Sequence, residues 1–199
     1  MMRRVRWGRL AAALVAVALP LTSGAIGVAG QGLHASRQLG ATGVEQVVPG
    51  ITSAQGVGGT TSADLKAFAA AFNAKRASHH LKAIRLSNFR HDSCMEKRLR
   101  WMAEDPSKNP SSAWGHIGSR RSDGVPSVGC DGNLAGGMNN SGKTVAKKWW
   151  DSKSHRTSLY KPKYKGSMSS VCIYFAMTHG GVPDEPAAFT RAAARWGAC

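Results

Sequence analysis

The sequence predicts an α+β domain stapled by disulfides, and three observations carry that expectation. Leu65, Phe68, Ala69 and Phe72 recur at helical spacing. Residues 171–177 (VCIYFAM) are apolar throughout, as expected of a strand buried on both faces. Cys94, Cys130, Cys172 and Cys199 are even in number, widely spaced and free of any CxxC pair. In an exported chain that pattern favours disulfides over zinc or redox chemistry. Four cysteines allow three pairings; Cys94–Cys130 with Cys172–Cys199 is the one favoured, because it crosses no loops.

Export is itself read from the start of the chain. Arg3, Arg4, Arg6 and Arg9 precede a short apolar run over 10–21, broken at Pro20, and small residues follow at Val28-Ala29-Gly30. A run of about a dozen residues falls short of the roughly 20 that span a bilayer, so 1–30 reads as a cleaved signal peptide rather than an anchor. The Arg3-Arg4 pair leaves general secretion and twin-arginine export both open. Cleavage removes four arginines and no acid from a chain of net charge +16. About 170 residues remain, enough for one domain with its own core and no transmembrane segment. A mature protein this basic is expected either to dwell near polyanions or simply to carry a solvated basic surface.

Residues 31–62 are rich in Gly, Ala, Ser and Thr and read as a linker or arm. The first helix should open near Thr61-Ser62, capped by Ser62 with Asp64 in its first turn. A second should start at Ser93, where Ser93 and Glu96 suit a capping box, and stop at Asp105-Pro106. Residues 106–142 are dominated by Ser, Gly, Asn and Pro, and such a long irregular stretch is either functional or pinned by crosslinks. A third helix is expected over 142–150, burying Val145 and Trp149. After the strand at 171–177, Phe189, Ala192, Ala193 and Trp196 are spaced for a short helix. The resulting division is a folded domain over 63–183 and a C-terminal tail over 184–199.

The order of short motifs resembles the CAP domain (cysteine-rich secretory protein, antigen 5, pathogenesis-related; SCP-like) in its bacterial form. Phe72-Asn73-Ala74-Lys75-Arg76-Ala77, followed by His79, Leu81, Ile84 and Arg85, resembles the family's opening helix. Gly115-His116 and Asp123-Gly124 resemble its SH and DG motifs. Asp131-Gly132-Asn133-Leu134-Ala135 resembles GENIA. Val145, Trp149 and His155-Arg156 resemble AVxxWxxSPGHR, and Pro162-Lys163-Tyr164 the following NPxF/Y. The resemblance spans roughly residues 63–180. It implies an α-β-α sandwich with a small central antiparallel sheet. The chain offers one strong strand where the family offers more, so either the sheet is cut down or residues 194–199 join it.

The same resemblance implies a cleft around His116 and His155, with Asp131, Asn133 and Trp149 beside them. Family members often pair the two histidines with two acids that help hold a divalent cation. Here those acids align with Gly132 and near Gly166. Two imidazoles alone make a weak, open site for a cation such as zinc, since stable sites take three or four protein ligands. No cofactor is required on this reading, and no catalytic residue is assigned. Plain structural roles stay open for both histidines: a loop histidine bonded to backbone, and one satisfying helix C-terminal carbonyls. Around them Lys153, Arg156, Lys161, Lys163 and Lys165 form a basic rim beside Trp150, Tyr160 and Tyr164. That mixture suits a polyanionic envelope component or lipid, or an ordinary basic surface. No motif for specific nucleic-acid recognition is present. The functional expectation is a secreted, monomeric, non-catalytic binding module, free or associated with the cell wall. The alternative is a metal-assisted hydrolase of peptide, nucleic acid or wall polymer using His116 and His155.

Overall fold

The computed structural model describes residues 46–199. The expected signal over 1–30 and the arm up to residue 45 lie outside the described residues. Among them no helix is long and apolar enough to cross a membrane.

Helix α1 (Ser62–Ala77) starts where Thr61, not Ser62, supplies the cap: the Thr61 side chain accepts from the Asp64 amide and Asp64 accepts from the Thr61 amide. A 3-10 turn (Leu86–Asn88) leads into strand β1 (Phe89–His91) and helix α2 (Ser93–Ala103). Asp92 caps α2, accepting from the Met95 amide at 3.0 Å. The expected Ser93–Glu96 box is therefore not used, and Glu96 turns to other partners described below. Strand β2 (Asn133–Met138) lies within the stretch read as irregular. Helix α3 (Gly142–Asp151) carries a Ser141–Thr144 capping box. A single turn α4 (Lys153–His155) runs into a π-helical turn (Arg156–Tyr160). The chain closes with strands β3 (Val171–Gly181) and β4 (Glu185–Ala198).

The four strands form one sheet in the order β1-β3-β4-β2. β1 runs parallel to β3, while β3–β4 and β4–β2 are antiparallel. The sheet is thus mixed, not antiparallel. Side chains alternate between its faces with the two-residue period of a strand. Ile173, Phe175, Met177, Ala192 and Ala194 join the core under α1 and α3, whereas Ala176 and Ala193 join the core under α2. Helices therefore cover both faces. On the first face Phe68 stacks on Phe175 at 4.3 Å, Phe72 stacks on Tyr160 at 4.1 Å, and Trp149 meets Phe68 edge-on at 5.7 Å.

Three expectations are corrected. The tail over 184–199 is not a short helix but β4, registered along β3 from Glu185 to Ala198. The run Ala192-Ala193-Ala194 favours helix by intrinsic propensity. Tertiary pairing overrides it, because small side chains let the sheet pass tightly between two helical layers. The boundary at 183/184 consequently falls inside a β-hairpin. Finally, the described part of the expected arm is folded onto the domain: Val57 is fully buried, Val48 and Thr60 nearly so.

Both disulfides follow the favoured pairing, Cys94–Cys130 and Cys172–Cys199. The first ties the opening turn of α2 to the loop before β2, and the Cys130 amide also donates to the Cys94 carbonyl at 3.0 Å. The second ties β3 to the chain just past β4.

Candidate functional site

One open cleft of about 440 Å³ is lined by His116, Asp131, Gly132, Asn133, Ser154, His155 and Ser158. Three segments converge there: the loop after α2, the entry to β2, and the turn through α4. Each is held by identifiable bonds. Asp131 accepts from the Ile117 amide through both oxygens, at 3.0 and 3.1 Å. Its Oδ1 stands 3.6 Å from His116 Nδ1, too far for a strong hydrogen bond. Asn133 donates to the Ala194 carbonyl at 3.0 Å and accepts from Ser158 Oγ at 2.6 Å, joining β2 to the π-helical turn.

His116 is exposed, at 68% of its side chain, and His155 is half-buried. Burial first, and then the nearby His116 charge, push the His155 imidazole below its ordinary value of 6.5. Both effects favour the neutral imidazole, which carries one ring nitrogen able to accept a hydrogen bond.

The loop carrying His116 is anchored by a residue that no sequence motif marks. Arg98 is fully buried on α2. Its Nη2 donates to the Gly115 carbonyl and Ser119 Oγ, both at 2.7 Å, and to the His116 carbonyl. Its guanidinium lies 4.3 Å from the centre of the Trp101 ring, while Nε and Nη1 have no hydrogen-bond partner among the described residues. In sequence Arg98 is spaced beside the Met95, Leu99 and Met102 stripe of α2, but nothing there names its partners. Gly129 in the facing loop is the available clue: a Cβ there would come within 2.6 Å of the Arg98 amide, so the loop must lie flat on α2. Ser154 and Ser158 are not marked in the sequence either, because no motif singles out a serine in a helical turn.

Trp149 does not line the cleft. It is fully buried and donates from Nε1 to the Leu134 carbonyl at 3.1 Å. Trp150 is buried too, stacked on His79 at 4.3 Å. Arg156 is not a free rim charge: Nη1 donates to the Trp150 carbonyl at 2.8 Å, closing the end of α3. Lys161 adopts a left-handed backbone (φ 41°) and holds Nζ 5.5 Å from the Trp196 ring. Lys153, Lys163 and Lys165 are exposed, and among the described residues none forms an ion pair.

The donors in the cleft do not make a cation site of the usual kind. Among the described residues no group of three or more His, Cys, Asp or Glu side chains is placed to hold a metal ion. Asp131 is committed to the Ile117 amide. A side chain at Gly132 would have to displace its neighbours, since a Cβ there would sit 2.7 Å from Met95 Sδ and 3.1 Å from the Ala194 carbonyl. A second groove of about 330 Å³, between α1 and α3, is lined by Ala71, Ala74, Lys75, Lys143 and Lys147 among others. No protein-family model, curated protein or solved structure matches this chain.

Proposed function

We propose that this chain is a secreted, CAP-like binding module of the bacterial envelope or exterior, which holds a polyanionic envelope component against its basic rim and performs no catalysis. The observation that carries the reading is an imbalance of charge. Residues 152–183 contain Lys153, Arg156, Lys161, Lys163 and Lys165 and no Asp or Glu. Five of the acids elsewhere are already paired within the domain: Asp92 with Arg195, Glu96 with Arg100, Asp123 with Arg121, Asp151 with Lys147 and Glu185 with Arg191. Exposed lysines with no internal counterion attract external anions and release counterions on binding. The meeting of His116, His155, Asp131 and Asn133 in one cleft, between elements on both sides of a small sheet, supports the CAP likeness.

Cosedimentation with purified bacterial cell walls and, separately, with anionic vesicles, across a salt series, tests the reading. Binding to at least one of them should fall steeply with salt. Charge reversal at Lys161, Lys163 and Lys165 should weaken it, while His116→Ala with His155→Ala leaves it intact. A histidine pair that matters more than the lysines overturns the reading. The alternative of a metal-assisted hydrolase needs a carboxylate free to act beside His116 and His155. Heat on zinc titration together with perturbed histidine resonances would revive it.

A further inference from the structure

The outer edge of β3 is covered by two different pieces of chain. β1 pairs with Ile173, Tyr174 and Phe175 and goes no further. Beyond it, the groups of Met177 and His179 on that edge are met by the stretch before α1. The Met177 amide donates to Thr60 Oγ1 at 2.9 Å, and Thr60 Oγ1 donates back to the Met177 carbonyl at 3.0 Å. The amides and carbonyls of Gly58 and His179 exchange two bonds of 2.9 Å. An uncovered edge here would present a row of unpaired backbone groups.

Residues 46–61 contain no ionisable side chain. The groups that hold them belong to the domain. Glu96 on α2 accepts from the Thr60 amide at 3.0 Å, from His91 Nε2 at 2.8 Å and from Arg100 at 2.6 Å, and Arg100 also reaches the Ile51 carbonyl. Asp64 on α1 accepts from the Thr61 amide at 2.9 Å, from Thr61 Oγ1 at 2.7 Å and from His179 Nε2 at 3.0 Å. Strap, α1 and β3 therefore meet at one histidine–carboxylate pair, 28% and 13% exposed.

We propose that residues 46–61 are a pH-sensitive strap, latched over the β3 edge by the His179–Asp64 pair and by Glu96, which loosens as His179 gives up its proton. Asp64 is the charged group facing His179; from β4 the residue paired with it is the uncharged Thr190. The hydrogen bond to Asp64, against the effect of burial, raises His179 above its ordinary 6.5. A raised histidine contributes fully below its unfolded value and loses that contribution as pH climbs through the folded one. Asp64 and Glu96 are both lowered and stay ionised throughout this window. Release converts the strap from a folded anchor into about 50 Å of additional tether.

Hydrogen exchange of the full chain, corrected for intrinsic rates, tests this at about pH 5.5 and about pH 8.5. Protection of the Gly58 and Thr60 amides should fall about fivefold at the higher pH, the equilibrium equivalent of losing a partly exposed ion pair. Amides within the β3–β4 ladder should hold their protection and serve as the internal reference. His179→Gln, which retains a donor but does not titrate, should abolish the difference. Gly59→Ala gives an independent check: a Cβ there would lie 2.5 Å from Arg100 Nη2 and 2.7 Å from both Glu96 Oε1 and the Ile51 carbonyl. That variant should lose strap protection at both pH values with the ladder unchanged. Wild-type protection indifferent to pH, a pH effect undiminished in His179→Gln, or a protected strap in Gly59→Ala overturns the proposal.

Discussion

At the level of single residues, position in the fold decides what a histidine or arginine does. His155 sits between a partly buried wall and the charge of His116, and both disfavour its protonation. In an NMR titration it should show a midpoint below 6.5, and His116→Ala should move that midpoint upward. Arg98 lies three residues after Met95 and four before Met102, beside the apolar stripe of α2, and collects three acceptors from the loop that presents His116. Arg98→Met should cost about 2 kcal/mol in urea unfolding, because it strands partly buried acceptors. It should also shift the His116 resonances while leaving those of His179 unchanged. The two cleft histidines were legible because each sits in a short motif whose order is distinctive. Arg98 was not, since nothing local marks a cation whose partners lie 17–21 residues away.

Among the elements, the helices were legible and the sheet largely was not. α1, α2 and α3 each bury one stripe of apolar side chains, which writes a period into the sequence. β1 has three residues and β2 contains two glycines, too little for any two-residue alternation to register. β4 carries an alanine run that satisfies helical and extended spacing equally. The Cys172–Cys199 pairing was the available hint, because it brings the tail alongside the strand. Close approach between α1 and α3 depends on Gly142: a Cβ there would come within 2.6 Å of the Phe68 amide and closer still to the Asp64 carbonyl. Gly142→Ala should destabilise the protein by about 1–3 kcal/mol, the usual range for overpacking, as read from denaturant midpoints. Ala→Gly at exposed Ala77 should cost less than half as much.

For the whole molecule, the two disulfides together contribute about as much as the net stability of a typical domain, which is far smaller than the gross contribution of the core. They close loops of 36 and 27 residues. Loop entropy of that size corresponds to about 3–4 kcal/mol per bridge in the unfolded-chain account. Cys172→Ser with Cys199→Ser should therefore lower unfolding free energy by about 3 kcal/mol. Unfolding curves with and without reductant check it, and the double variant should respond less to reductant than the wild type. Composition and cysteine spacing made this level legible from the outset. The folding-back of residues 46–61 stayed hidden, because a Gly- and Thr-rich segment with no charge looks the same whether it is free or laid along an edge.

The hairpin of β3 and β4 has a mechanical corollary. Cys199 is covalently joined to the second residue of β3, so a pull applied at Cys199 loads a sulfur–sulfur link before it reaches the ladder. Oxidised, the sheet resists such traction as a closed ring. Once the link is reduced, the same traction unzips β4 one rung at a time from its far end, beginning at Ala198.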